Sequence, residues 1–258
     1  MKILVIGDSC IDVFIYGKVS RLCPEAPVPI FNPIEKPQKE NGGMAENVVA
    51  NLYSCGAEQV DLITNKDKST KIRYVEESSN QMLLRVDWDD EIKDRLTAEQ
   101  VLDIDFSKYD AVIVSDYCKG FLDEDVMRLI SYKANVSFLD TKKKLSEWAY
   151  GFTFVKVNEQ EWNKSLTAGA RIDDWENKLI ITKGSKGCYY NGIEYPVEEV
   201  NFLDVSGAGD TFLAGLVFSY VQTKDIELSI KYANEVATMV VQERGVTTPY
   251  GLHTEIVD

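Results

Sequence analysis

Five short runs rich in Val, Ile, Leu and Phe, at 2–6, 111–115, 136–140, 154–157 and 179–182, are separated by stretches long enough to hold helices. A run that is apolar at both odd and even positions buries both faces of its strand, which is the condition inside a parallel sheet covered by helices on either side. Strand and helix alternating along the chain predict an α/β fold with a mainly parallel central sheet. The 258 residues, 45% of them hydrophobic, supply enough apolar material for one such core.

Other segments break this rhythm. Phe14 to Lys18 and Val28 to Phe31 read as short strands on either side of Cys23-Pro24-Glu25-Ala26-Pro27-Val28-Pro29, whose prolines forbid a helix. Thr70 to Val75 and Gln81 to Val86 alternate around Glu77-Ser78-Ser79-Asn80 and predict a hairpin. These segments form a small inserted β flap, about 12–34 and 69–88, on a single domain spanning 1–258. The acidic run Asp87-Trp88-Asp89-Asp90-Glu91 is read as a solvated turn. Helices are expected over Ala45 to Leu52, after Gly42-Gly43, near Glu124 to Lys133, and over about 208–222 and 227–243. Val60 to Ile63 is a further strand, and an Asn191-Gly192 turn marks a second hairpin within 187–194.

A net charge of −14 argues against nucleic-acid or anionic-membrane partners, so an anionic ligand has to be held by a local cluster of cations. Five scattered cysteines without a Cys-x-x-Cys pair, and a single histidine, argue against zinc and against a disulfide framework. The N-terminal apolar run is too short for a signal peptide or a membrane span, and the expected location is the cytoplasm.

The stretch Asp204-Val205-Ser206-Gly207-Ala208-Gly209-Asp210-Thr211 runs straight into the apolar segment Phe212 to Phe218. Unsatisfied N–H groups of Gly207, Ala208 and Gly209 at a helix N-terminus suit a phosphate, and a carboxylate in the first turn suits a proton acceptor. Together they point to phosphoryl transfer onto a small molecule. A tight turn followed by a dipole-compensating aspartate is the purely structural alternative.

The stretch 204–210 resembles the Asp-Thr-x-Gly-Ala-Gly-Asp signature of the ribokinase-like (PfkB) carbohydrate kinases. Gly7-Asp8 with Asp12, Gly42-Gly43 with Asn47, Asn158 with Glu161, and Thr182-Lys183-Gly184 with Gly187 follow in that family's order. Within it the chain most resembles the kinases of D-glycero-D-manno-heptose 7-phosphate. Ser20-Arg21-Leu22-Cys23-Pro24-Glu25-Ala26-Pro27-Val28-Pro29 and Ser115-Asp116-Tyr117-Cys118-Lys119-Gly120 carry that likeness. The resemblance implies a three-layer ribokinase-like fold with a small β-sheet lid, and ATP and Mg²⁺ as the companions of a sugar or sugar phosphate.

It also implies roles. Asp210 is the general base, and the amides of Gly207, Ala208 and Gly209 form an anion hole. Asp12, Gly43 and Asn47 contact the sugar, and Asp8 supports a turn. Asn158 and Glu161 hold Mg²⁺ through water, although Asn-x-x-Glu is equally a capping box. Thr182, Gly184 and Gly187 border the nucleotide, and Asn234 lies where adenine packs. Lys71, Arg73, Arg85 and Lys119 are candidates for a sugar phosphate, with Lys71 and Arg73 on one strand face. Two departures stand out: Met44 where aligning Asn47 places the second glycine, and Asp140-Thr141-Lys142 for the family's Asp-Pro-Lys.

Alternatives are a kinase for another sugar (ribose, fructose or a fructose phosphate), a catalytically weak sugar-binding regulator, and an esterase built on Gly7-Asp8-Ser9. The esterase needs an Asp-x-x-His, and the residue three before the only histidine, His253, is Tyr250. The chain is short for the family between Thr64 and Thr70 and around Lys164 to Asp174, and a homodimer through the lid is one way to complete the pocket. With no His-x-Gly-His motif present, nucleotidylation is expected to belong to another protein.

Overall fold

The computed structural model describes residues 1–34, 39–89, 91–243 and 245–250; His253 lies outside them. The central sheet follows the apolar runs. Strand β1 (Lys2–Gly7) is flanked by β5 (Gln59–Thr64) and β8 (Ala111–Asp116), and β9 (Ser137–Thr141), β10 (Phe154–Asn158) and β11 (Leu179–Thr182) continue outward in parallel. The antiparallel hairpin of β12 (Cys188–Tyr190) and β13 (Ile193–Tyr195) closes the edge.

Strand alternation divides the core in two. Ile3, Val5 and Ile113 face α1 (Ala45–Ser54), α5 (Ala208–Thr223) and α6 (Ile226–Val240). Leu4, Ile6, Val112 and Val114 face α2 (Ala98–Leu102), α3 (Glu124–Lys133) and α4 (Glu159–Thr167). Three layers result, as the paired apolar faces require. Helix α5 packs between α1 and α6, and Phe212 to Phe218 are all buried.

A second sheet is built on β2 (Ser9–Leu22), which pairs in parallel with β6 (Ser69–Glu76) and beyond it with β7 (Met82–Trp88). Its other edge carries β4 (Lys39–Met44) and then β3 (Pro29–Pro33), both antiparallel.

Several expectations are corrected. β2 starts at Ser9 rather than Phe14, because residues 10–17 find a full-length partner in β6. Gly42-Gly43 is part of strand β4 and not merely the approach to a helix, held by pairing with Ile11 and Cys10. The acidic run does not start as a turn, since Asp87 and Trp88 belong to β7, paired with Lys71 and Thr70, although both are exposed as expected. Asp90 falls outside the described residues. The last helix ends at Val240, three residues early, and α2 was not foreseen. Between Thr64 and Ser69 only a short connection joins β5 to β6, as the missing elements implied.

Candidate active site

The central sheet changes winding direction between β1 and β8, where open α/β sheets form a crevice at their carboxyl ends. Asp8, directly after β1, is fully buried, and its carboxylate accepts the backbone N–H groups of Tyr117 (2.7 Å), Lys119 (3.3 Å) and Phe121 (3.3 Å). Burial pushes its carboxyl above the usual range, and the nearby Asp116 adds to this. Asp8 thus shapes the loop that carries Tyr117 and Lys119.

Across the crevice stands the start of α5. Its cap, Gly207, has φ 81°, and a Cβ there would lie 2.9 Å from Asn47 Nδ2. Glycine is required on both counts. Asp204 braces the approach by accepting the N–H groups of Ser206 (2.9 Å) and Gly245 (3.2 Å). Asp210, in the first turn, is 4% exposed. Both of its oxygens are held: Asn47 Nδ2 donates to Oδ2 at 2.8 Å, and the Tyr117 hydroxyl donates to Oδ1 at 2.6 Å. Asn47 is itself fixed by Asn51, whose amide donates to Asn47 O (2.7 Å) while accepting from the Thr211 hydroxyl (2.8 Å). Burial raises the Asp210 carboxyl from 3.8 to about 6, helped by Asp140 and opposed by the hydrogen bonds from Asn47 and Tyr117 and by Lys156. A carboxylate tuned to this range is ionised at neutral pH and basic enough to accept a proton.

Asp210 lies at one end of a cavity of about 260 Å³ roofed by the second sheet. The strand register explains the roof. Asp12 pairs with Lys71 and Lys71 with Asp87, while Phe14 pairs with Arg73 and Arg73 with Arg85, so these side chains share one face. Arg73 Nη1 donates to Asp12 Oδ1 at 2.6 Å, and Arg85 pairs with Asp87 at 2.8 Å. Gly43 lets β4 close on this row, since a Cβ there would fall 2.7 Å from Asp12 Oδ2. Lys119 and Lys142 enter from the loops after β8 and β9. Five cationic and three anionic side chains therefore face one cavity in a chain of net charge −14. Met44 also lines it, 3% exposed, with φ 60° and ψ −122° at the cap of α1. That backbone region belongs to glycine, and a bulky residue there is strained.

The expected sugar-side residues Asp12, Gly43, Asn47, Lys71, Arg73, Arg85 and Lys119 thus meet Gly207 and Asp210 around one space, whereas Asn158, Glu161, Thr182, Gly184, Gly187 and Asn234 do not line it. Asn158 and Glu161 close a complete capping box on α4, at 2.7 and 2.9 Å. Burial raises the Glu161 carboxyl, with Asp140 adding to the effect. Asn234 donates to Tyr195 O at 2.9 Å and so fastens the edge hairpin. Thr182 ends β11, and Gly184 and Gly187 have φ 57° and 83° in the turn that follows.

Three site residues escaped sequence reasoning. Tyr117 carries no motif of its own beyond the Ser-Asp-Tyr run. Lys142 stood only as part of an imperfect Asp-Pro-Lys. Lys156 has its Nζ 2.7 Å from Asp140 and 3.2 Å from where a Gly209 Cβ would stand. Burial opposes the charge on Lys156, but Asp140, Glu161 and Asp210 outweigh this and hold its ammonium above the ordinary value. Its signal was available: a lone lysine inside an apolar strand, in register with Asp140 one strand away.

A mainly parallel sheet, a capping sheet and a cation-lined cavity at the switch point define an α/β protein built to hold a small anionic ligand. Among solved structures the ribokinase of Thermotoga maritima is similar, with a TM-score of 0.71 at 14% identity, covering 95% of this chain and 94% of that one. The model of the pfkB family carbohydrate kinases matches residues 45–252, and the chain belongs to that family of phosphotransferases acting on sugars. Two curated relatives are the bifunctional proteins HldE of a Nitratiruptor species, 29% identical over 295 residues, and of Helicobacter acinonychis, 31% identical over 300. The alignments cover 96% and 95% of this chain, which spans 63% of the length of each relative. No helix among the described residues is long and apolar enough to cross a membrane.

Proposed function

We propose that this chain transfers the γ-phosphoryl group of ATP to a hydroxyl of a sugar phosphate, with D-glycero-D-manno-heptose 7-phosphate as the acceptor. One observation carries the reading: a buried carboxylate with both oxygens held, at the entrance of a helix opened by Gly207, beneath a cavity lined by five cations. In it Asp210 accepts the acceptor's proton, and the amides of Gly207 and Gly209 receive charge on the transferring group; the third expected amide, that of Ala208, is donated to Val205 O at 3.3 Å. Asp12 and Asn47 bind sugar hydroxyls at the lower end of the cavity, while Arg73, Arg85 and Lys119 serve the acceptor's own phosphate.

The crowding of Glu161 with Asp140 fits a divalent cation, which would relieve their repulsion. Glu161 with Asn158 would hold Mg²⁺ through water, and the ion would neutralise phosphate oxygens of the nucleotide. Thr182, Gly184, Gly187 and Asn234 stand beyond it on the nucleotide side. Residues 1–258 act as one kinase unit, with the second sheet as its lid. The heptose assignment rests on the lid segment 20–29 and the 115–120 loop. The outer lid face, bearing Ile72, Tyr74, Leu84, Val86 and the exposed Trp88, is apolar, and its partner is a second copy of the chain. Sedimentation showing a monomer at assay concentration would refute that pairing.

The deciding experiment is ADP release across heptose 7-phosphate, fructose phosphates, ribose and nucleosides, with Asp210→Asn as the blank. Turnover on heptose 7-phosphate with the highest kcat/KM is expected. Preference for another acceptor overturns the substrate, and no turnover on any of them overturns the kinase reading.

A further inference from the structure

The five cations around the cavity are not equivalent. The two arginines already carry carboxylate partners, Asp12 for Arg73 and Asp87 for Arg85. Among the described residues Lys71 and Lys142 form no ion pair. Lys71 is 8% exposed, and its ammonium has the Cys10 thiol and the Tyr117 ring as neighbours, the latter at 5.8 Å to the ring centroid. Lys142 Nζ stands 4.1 Å from the centroid of the same ring. The hydroxyl of that ring is the one bonded to Asp210, so both ammonium groups gather beside the proton acceptor. They repel one another, and Lys142 also feels Asp140, Glu161 and Asp210. Lys142 therefore lies between the sugar cavity and the cluster of Asp140, Lys156 and Glu161 on the nucleotide side. Desolvation around its ammonium holds it below the ordinary lysine value, although the residue as a whole is exposed.

Lys71 is buried and Lys142 exposed, and neither is locked in an ion pair although carboxylates stand near both, so two ammonium groups against one ring are left to receive an anion. Resting on the kinase reading above, we infer that Lys71 and Lys142 clamp the phosphoryl group in transit rather than the phosphate resident on the acceptor. During transfer the acceptor oxygen bonds to the γ-phosphorus as the bond to the β–γ bridging oxygen breaks. The acceptor's proton goes to Asp210, and ADP leaves with the electron pair. Negative charge on the three oxygens of the moving group then spreads next to Asp210, where the two lysines and the α5 amides converge. A heptose 7-phosphate that receives the new group on its 1-hydroxyl carries its resident phosphate at the other end of the sugar, away from the base.

The test compares Lys71→Met, Lys142→Met and Lys142→Arg with Arg85→Met, and takes Lys164→Met, on the exposed end of α4, as the control. Two quantities are read: the kcat against KM split for the acceptor, and calorimetric binding of ADP alone against ADP with aluminium fluoride. Each lysine-to-methionine change should lower kcat by about 10²–10³-fold, the range for losing one preorganised donor, and weaken the fluoroaluminate complex in proportion. KM for the acceptor and affinity for ADP alone should stay within about threefold, the pattern of an interaction made only in the transition state. Lys142→Arg should recover part of kcat, and Arg85→Met should raise KM instead. Methionine keeps the aliphatic stem, and circular dichroism checks the fold of Lys71→Met. A Lys142→Met enzyme with unchanged kcat, or one whose KM alone rises, overturns the inference while leaving the kinase intact. A wild-type protein with neither turnover nor fluoroaluminate binding overturns both readings together.

Discussion

Replacing Asp210 with asparagine should inactivate the protein and make it more stable, and the stabilisation should depend on pH. Burial raises the carboxyl from 3.8 to about 6. A shift of about two units means that burying the ionised form costs about 3 kcal/mol relative to the unfolded chain. For an acid whose folded value is raised, the stabilising share is complete below the unfolded value and disappears as pH rises through the folded one. Between pH 5 and pH 8 the wild type should therefore lose about 1.4 kcal/mol through this group alone. Asparagine does not titrate, so the difference in unfolding free energy, variant minus wild type, should grow by that amount over the same interval. At pH 8 the variant should be ahead by about 2 kcal/mol, after about 1 kcal/mol is subtracted for one mismatched hydrogen bond with Asn47 or Tyr117. Urea titrations followed by tryptophan fluorescence at pH 5, 6, 7 and 8 measure this directly. A difference that stays flat across the interval, or a variant less stable at every pH, refutes the argument from burial.

Two further outcomes follow from the same geometry. At Met44 the φ of 60° reverses the ordinary ranking of small residues, so Met44→Gly should be more stable than Met44→Ala by about 1–3 kcal/mol in thermal or urea unfolding; equal stability would deny the strain. Tyr117→Phe removes a donor that lowers the Asp210 carboxyl, so the acid limb of the kcat/KM profile should move to higher pH by about half to one unit. An unmoved limb would separate Tyr117 from the base.

What was legible in the sequence was whatever a single element decides for itself. Strands β8 to β11 bury both faces, and their composition says so without reference to neighbours. The Asp204 to Asp210 run describes a helix entrance in local terms. β4 was hidden because Gly42-Gly43 reads as the approach to a helix; it becomes a strand only through its pairing with β2. Asp87 is exposed, as an acidic run usually is, but its place on β7 and its ion pair with Arg85 two positions earlier depend on the strand that the run extends. Whether a lysine beside the site is paired or uncompensated is likewise a property of three-dimensional neighbours, which is why Lys71 looked equivalent to Arg73 until the partners were known.

The joint between β4 and α1 has a mechanical meaning. β4 ends at Met44 and α1 begins at Ala45 with no intervening loop, its first amide anchored 2.9 Å from the carbonyl of Asp8. Within its first turn, the same helix delivers the amide of Asn47 to Asp210. Roof and base thus share one covalent joint, so the strand that covers the cavity and the amide that holds Asp210 are set by the same few backbone atoms around Met44.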